Sequence, residues 1–185
     1  MSDDFSKRKN YQGLLLLASP ALVEPYFRRT IIFITHHTKQ TGALGLVLNR
    51  PLHLTLGDVM KSKTEALLAP VPIFYGGPVL IDQPALLGIR WNKTQGYDIQ
   101  IFGSSYTPQN IPNDWHDHLR VFVGHAGWSE GQLEKEIEHN SWLVCAPKPE
   151  VLEPCQTEAC WRNILSPMGP MLRLYAEAPE NPLAN

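Results

Sequence analysis

Residues 119–146 read LRVFVGHAGWSEGQLEKEIEHNSWLVCA, and this stretch predicts a strand, a tight turn, a helix and a second strand. Leu119–Val123 and Trp142–Ala146 are short apolar runs of the kind that form buried strands. Leu133 and Ile137 lie four residues apart between them, which places both side chains on the buried face of one helix. The stretch therefore predicts a protein of mixed α and β structure.

The helix in this stretch has a recognisable start. Ser129 and Gln132 form an S-x-x-Q capping box, in which the serine oxygen accepts from the backbone N–H of Gln132 and the glutamine reaches back. Trp128 and Leu133 hold the two positions of a hydrophobic staple. We expect Glu136 at the edge of the buried stripe. The charged residues that we expect to face water are Glu134, Lys135 and Glu138.

Short apolar runs recur along the whole chain and predict further strands. These runs are Leu14–Ser19, Thr30–Thr35, Leu44–Asn49, Ile73–Tyr75, Ala85–Trp91 and Tyr97–Phe102. The chain has 185 residues and 16 prolines, which favours one domain of short elements over a helical bundle. Thr55 and Thr157 are positioned to cap two short helices. We expect residues 1–10 to be flexible and the proline-rich residues 167–185 to form an extended tail.

Composition argues against two classes of protein. The longest apolar runs have about five residues, whereas a membrane-spanning helix needs about twenty. The only basic clusters are Lys7–Lys9 and Arg28-Arg29, and the net charge is −2, so nucleic-acid binding is not favoured. The polar N-terminus and the three cysteines, without a C-x-x-C pair, predict free thiols in a cytoplasmic protein.

Gly127–Gly131 matches the G-x-S-x-G pattern of a hydrolase nucleophile elbow. In that fold the catalytic histidine follows the serine, and only His139 follows Ser129. His139 lies about 15 Å along the same helix and cannot reach the serine. We therefore assign Ser129 to capping and predict no catalytic residue.

Two other patterns suggest ligand chemistry. His116 and His118 form an H-x-H pair that could bind a metal on a strand, but no spacing supplies the remaining ligands. Gly124–Gly127, between a strand and a helix, could cradle an anion, but close backbone packing explains the glycines better. Cys155 and Cys160 would point to different faces of a helix and so pair poorly.

The motifs taken together are more specific than any one of them. Residues 124–143 follow G-x-A-G-W-x-x-G-Q-L-E-x-E-I-x-x-N-x-W-L, which resembles the signature of the YqgE/AlgH family of small bacterial proteins. Residues 14–31, 42–52 and 76–79 are similar to the family's opening strands, its G-A-x-G-L-V-I-N-K-P-L segment and its G-G-P-V turn. Order and spacing agree over residues 11–165.

The resemblance implies a fold more than an activity. It implies an α+β architecture over residues 11–166, in which helices surround a barrel-like, branched β-sheet in a single domain. No enzymatic activity is established for the family, and one branch was named as a regulator of alginate production. The chain departs from the family pattern at residues 35–38, where only His37 corresponds, and across residues 82–118.

We predict a cytoplasmic, non-enzymatic regulatory or binding module for a protein partner or a small ligand, with no cofactor. The polar and glycine residues at the turns between strands are the candidate site: Arg28, Arg29, His37, Asn49, Gly76, Gly77, Trp128 and Gln132. One alternative is a metal-assisted hydrolase that uses His116 and His118. The other is a DNA-binding regulator, although the sequence contains no helix-turn-helix pattern.

Overall fold

The chain alternates short strands with short helices. The computed structural model describes residues 8–60, 66–103, 110–152 and 158–178. The strands are β1 (Leu15–Ala18), β2 (Ile31–Thr38), β3 (Gly42–Val47), β4 (Pro51–Thr55), β5 (Pro72–Tyr75), β6 (Ala85–Arg90), β7 (Asp98–Gly103), β8 (Leu119–Val123), β9 (Ala126–Trp128) and β10 (Trp142–Cys145). The α-helices are α1 (Leu56–Met60), α2 (Gln132–Glu138), α3 (Pro149–Leu152), α4 (Glu158–Leu165) and α5 (Pro170–Glu177).

The strands form two five-stranded sheets. Sheet A has the order β10-β1-β2-β3-β9, and all its neighbouring strands are antiparallel. Sheet B has the order β4-β5-β8-β6-β7, and only its β5–β8 pair is parallel. The fold is α+β in one domain, as the sequence predicts. Its described strands remain two separate sheets and do not close into one barrel.

Alternation along the strands creates a layered core. Leu15 and Leu17 of β1 point to the cluster between the two sheets, which also contains Phe74 of sheet B. Leu16 and Ala18 point to the opposite face of sheet A, where α2 packs. Strands buried on both faces are apolar at every position, and this explains the uninterrupted run LLLA in β1.

Sheet B also has two covered faces, but its outer cover is partial. Phe74 and Phe122 pack toward sheet A, whereas Ile73 and Val121 point outward. The outward side chains pack beneath α1 and a 3-10 helix, Asn113–His118, whose Trp115 is buried. Part of this outer face remains open, and it is described below as a groove.

Every apolar run predicted as a strand forms one. β6 and β7 form an antiparallel hairpin, with Arg90 opposite Asp98. Thr55 caps α1 as predicted, because its Oγ accepts from the N–H of Asp58 at 3.3 Å and its own N–H donates to the Asp58 carboxylate at 2.8 Å. Residues 1–7 and Thr157 lie outside the described residues.

Two strands were not predicted. Pro51 follows the predicted strand Leu44–Asn49 closely, but it is the first residue of β4, an edge strand, where a missing N–H is tolerated. β9 has only three residues, Ala-Gly-Trp, and no sequence period is visible over so short a length. It forms because Ala43–Gly45 of β3 offers it a pairing edge.

The prediction of an extended tail from Pro167 is wrong for residues 167–177. A 3-10 helix covers Ser166–Met168, and α5 follows with Pro170 in its first turn, where proline's fixed φ suits a helix. Ala176 is fully buried against the core. Residues 179–185 lie outside the described residues.

Arg90 makes several contacts within residues 82–118, the segment in which the resemblance to the family is weakest. Its guanidinium donates to the carboxylates of Asp98 and Asp114, at 3.2 and 2.9 Å, and lies 4.3 Å from the ring centre of Trp115. Hydrogen bonds from Asn92, and further ones from Gln95 and Arg90, lower the pKa of Asp98. These contacts hold the β6–β7 hairpin against the 3-10 helix at residues 113–118.

The cysteines differ from the prediction of free thiols. Cys145 is free and buried, but Cys160 is disulfide-bonded. Cys155 itself lies outside the described residues. Among the described residues, no helix has the length and apolar character needed to span a bilayer; cytoplasmic localisation stays a prediction.

Burial should make Cys145 unreactive in the folded protein. It raises the pKa of this thiol to about 11, and the thiolate is the form that reacts with alkylating agents. We expect iodoacetamide at neutral pH to leave Cys145 unmodified in the native protein and to label it fully after unfolding in guanidinium. Peptide mass spectrometry measures the labelled fraction, and fast labelling of native protein would contradict the buried placement.

Candidate functional site

Arg29 and Asn49 hold two chain segments together. The Asn49 side chain is 1% exposed; its Oδ1 accepts from the N–H of Ile31 at 2.8 Å and its Nδ2 donates to the carbonyl of Arg29 at 2.9 Å. The Arg29 guanidinium donates to the carbonyl of Ala178 at 2.7 Å and lies over the Trp161 ring. Both side chains therefore make structural contacts that join segments of the fold.

Arg28, Gly76 and Gly77 lie close to this region. Arg28 is partly exposed, and its carbonyl accepts from the guanidinium of Arg50 at 2.6 Å. A Cβ at Gly76 would overlap the carbonyl oxygen of Gly124, so backbone packs directly against backbone here. The same close approach supports the packing explanation for Gly124, but not for Gly127, where an added Cβ would meet no atom closer than 3.9 Å.

His37 is buried with both ring nitrogens engaged. The N–H of Tyr11 donates to Nδ1 at 3.1 Å, so Nδ1 carries no proton and Nε2 is the N–H that donates to Glu134 at 3.0 Å. His37 is 2% exposed, and this arrangement leaves no nitrogen free to act as a base. Glu134 was predicted to face water; it is instead half-buried because it is the acceptor for His37.

Glu136 joins the two edge strands of sheet A. Its Oε2 accepts from the indole N–H of Trp128 on β9 at 2.9 Å and from that of Trp142 on β10 at 2.7 Å. Its Oε1 accepts from the Gln132 amide at 2.8 Å. The two indole rings meet edge to face at 6.0 Å, so sheet A is curled until side chains of its opposite edges touch beneath α2.

The structure confirms one half of the predicted capping box at the start of α2. The Gln132 side chain does reach back to the N–H of Ser129, at 3.0 Å, but the Ser129 hydroxyl donates to that same amide oxygen instead of capping the helix. The helix begins at Gln132 and its N-cap is Gly131, in the left-handed region. Leu133 and Ile137 are buried as predicted.

The structure does not bring metal ligands to the histidine pair. His116 and His118 lie on the 3-10 helix at residues 113–118, not on a strand, so the same-face argument does not hold. Within the four described ranges, no three His, Cys, Asp or Glu side chains lie close enough to bind one metal ion. The predicted site residues thus divide between the Asn49 region and α2, and do not converge on one cavity.

The open part of the outer face of sheet B forms an apolar groove of about 420 Å³, which we call the sheet-B groove. Its floor consists of buried or half-buried strand residues: Ile73, Ala85, Leu86, Val121 and Val123. Its walls consist mostly of exposed residues: Leu52, Leu54, Leu56, Val59, Met60 and Pro84. All these side chains are apolar, so the described residues of the groove offer shape and hydrophobic contact but no acid, base or nucleophile.

Strained backbone lies in one wall of the sheet-B groove and in the turn before Pro84. His53, between two wall residues, has φ of 55°, and the β4–β5 register shifts between Pro51 and Thr55. Leu52 and Leu54, one on each side of His53, both line the groove. Leu80, in the turn that leads to Pro84, has φ of 53° and is 50% exposed. Left-handed leucine is unusual, and such strain concentrates at binding sites.

Sequence reasoning missed this groove. The signal was present in Leu52, Leu54 and Leu56, which alternate with polar residues at the two-residue period of a half-covered strand. Pro51 stands between the predicted strand Leu44–Asn49 and this alternation, and a proline can mark the end of one strand as well as the start of an edge strand. Where the opposite wall lies depends on tertiary packing and leaves no trace in the local sequence.

These features define an α+β protein of two sheets. Hydrogen-bonded polar side chains hold α2 to sheet A, and an apolar groove lies on the outer face of sheet B. The chain belongs to the AlgH-like family, DUF179, whose pattern it matches over residues 15–173. It is 31% identical to a UPF0301 protein of Thermobifida fusca, over 96% of this chain and 97% of that one. A UPF0301 protein of Streptomyces coelicolor is 30% identical over 94% of each chain.

Solved structures agree with this fold. The solution structure of the AlgH protein from Pseudomonas aeruginosa matches with a TM-score of 0.67 and 26% identity, over 95% of this chain and 97% of that chain. A crystal structure of a protein from Corynebacterium diphtheriae matches with a TM-score of 0.69 over 92% and 94% of the two chains. Its 23% identity supports the fold alone.

Proposed function

We propose that this protein is a non-enzymatic binding module that docks an apolar helical segment of a protein partner in the sheet-B groove. The observation that carries the proposal is the groove itself, an apolar depression of about 420 Å³ whose wall residues Leu54 and Val59 are 45% and 57% exposed. Binding pockets are concave and lined mostly by apolar side chains, and this volume falls within their usual range of about 300–1,000 Å³.

The shape of the groove favours a helix over a strand. Its floor is the face of a sheet, and in α+β proteins such a face is normally covered by a helix. Adding a partner strand would require a regular edge at β4, but the bulge around His53 interrupts that edge. A helix with apolar side chains at i, i+3, i+4 and i+7 fits this kind of groove.

The polar candidates give less support to an enzyme. His37 has both ring nitrogens engaged, and Glu136 accepts three hydrogen bonds that hold α2 to sheet A. The metal-assisted hydrolase and the DNA-binding regulator stay predictions without a supporting contact among the described residues. Zinc or manganese retained in stoichiometric amount after purification without chelator would favour the first of them.

Selection from a displayed library of random peptides tests the proposed function. We expect peptides selected on the full-length protein to carry apolar residues at helical spacing and to bind with micromolar affinity in fluorescence anisotropy. Leu54→Glu combined with Val59→Glu should weaken binding at least about tenfold, since each buries a carboxylate against the groove floor.

Ile101→Glu is the matched control for this pair. Ile101 is 67% exposed on β7, at the far edge of sheet B from the groove walls. This variant should bind the selected peptides like the unmodified protein. Equal binding by the groove variant, or peptides with no shared apolar spacing, would refute the proposed function.

A further inference from the structure

The C-terminal helix α5 presents an apolar face that nothing in the described chain covers. Met171, Leu174 and Tyr175 are 63%, 64% and 53% exposed, and their i, i+3, i+4 spacing places them on one side of the helix. Met168, just before the helix, is 42% exposed. The opposite side of α5 packs into the core through Ala176. Both long sides of this short helix are therefore apolar.

The same chain thus carries an uncovered apolar helix and an uncovered apolar groove. We propose that the sheet-B groove of one copy receives the outer face of α5 from a second copy. This inference rests on the groove being the docking site of the proposed function, and it adds the identity of one occupant. Met171 on the helix and Met168 just before it suit the groove, because their flexible side chains adapt to irregular apolar walls.

The docking face of α5 is uncharged. Arg173 and Glu177 pair with each other at 2.9 Å, and the helical repeat of 3.6 residues places Arg173 about 150° around the helix from the centre of the Met171, Leu174 and Tyr175 face. The described side chains that line the groove are also apolar. The two surfaces therefore match in hydrophobicity, and docking buries no charge from either of them.

The contact is head-to-tail, because groove and helix are different surfaces of the fold. α5 packs on the cluster between the two sheets, whereas the groove lies on the outer face of sheet B. A docked pair then retains one unused groove, on one copy, and one unused helix, on the other, so association continues to a ring or an open chain. The few side chains involved give a small interface, which a partner's helix can displace.

Two variants that disable different halves of the contact test the inference. Leu54→Glu with Val59→Glu disables the groove, and Met171→Glu with Leu174→Glu disables the helix. We expect the unmodified full-length protein to self-associate between low micromolar and near-millimolar concentration in sedimentation velocity. Each double variant should stay monomeric over this range, and Ile101→Glu should associate like the unmodified protein.

Mixing the two double variants is the decisive measurement. The groove variant still has a good helix and the helix variant a good groove, so an equimolar mixture should form a dimer that grows no further. Self-association that survives the helix substitutions, or a mixture that stays monomeric, would overturn the inference.

A cross-linking measurement does not depend on charged substitutions in either surface. A benzoyl-phenylalanine at Tyr175, in a mixture of ¹⁴N- and ¹⁵N-labelled chains, should cross-link between copies to residues 52–60; cross-links only elsewhere would count against the inference.

Failure of the inference and failure of the proposed function are distinguishable. A strictly monomeric protein whose groove still binds selected peptides loses only the inference, whereas a self-associating protein that binds no peptide loses only the proposed function.

Discussion

Glu136→Leu is expected to lower the free energy of unfolding by about 3 kcal/mol, because it leaves the two indole N–H groups of Trp128 and Trp142 without an acceptor. Both tryptophans are buried, so water cannot replace the carboxylate without opening the packing around α2. The leucine has similar bulk, which separates the loss of hydrogen bonds from the loss of volume. Urea denaturation followed by tryptophan fluorescence and far-ultraviolet circular dichroism measures the change.

Two further substitutions on α2 make this result interpretable. Glu138→Leu changes the same residue type on the same helix, but Glu138 is exposed, and the expected change is within about 0.5 kcal/mol. Glu136→Gln keeps one carbonyl oxygen for the indoles and should give an intermediate loss. Equal stability of Glu136→Leu and Glu138→Leu would show that Glu136 does not hold the edges of sheet A together.

The sequence predicts the strands of this fold well where burial is complete. β1, β2 and β8 are buried along most of their length, so their side chains form continuous apolar runs that need no knowledge of the partner strands. β4 and α5 escaped prediction because each begins with a proline, which marks both the end of one element and the permitted start of another.

The candidate site shows a different limit of sequence reasoning. His37 and Glu134 are 97 positions apart, and no local pattern reveals that one accepts a hydrogen bond from the other. Asn49 looked like an available polar side chain at the end of a strand, but tertiary packing directs its amide to Ile31 and Arg29. Polar residues at strand ends are as suited to joining segments as to binding ligands, and their partners decide between the two roles.

Gly77→Ala is the second substitution expected to have a large effect, and it tests whether the glycine turn serves the fold. Gly77 has φ of +148°, and a Cβ there would overlap the backbone of His125 and Ala126. Rotation of a side chain cannot relieve overlap with backbone. The backbone just after β5, or that of the β8–β9 turn, must therefore move. We expect a loss of about 4 kcal/mol, from backbone strain and overpacking together.

Gly131→Ala and Gly127→Ala separate the two causes of that loss. Gly131 has φ of +69° but nothing within 4 Å of an added Cβ, so its alanine variant should report backbone strain alone, about 1 kcal/mol. Gly127 has no positive φ, and the nearest atoms would lie 3.9 Å away, so that variant should be close to neutral. In thermal unfolding, the melting temperature of Gly77→Ala should therefore be well below that of Gly131→Ala. If the two have equal melting temperatures, the close backbone contact at Gly77 does not constrain the fold, and a ligand-binding role for this turn becomes the better explanation of its glycines.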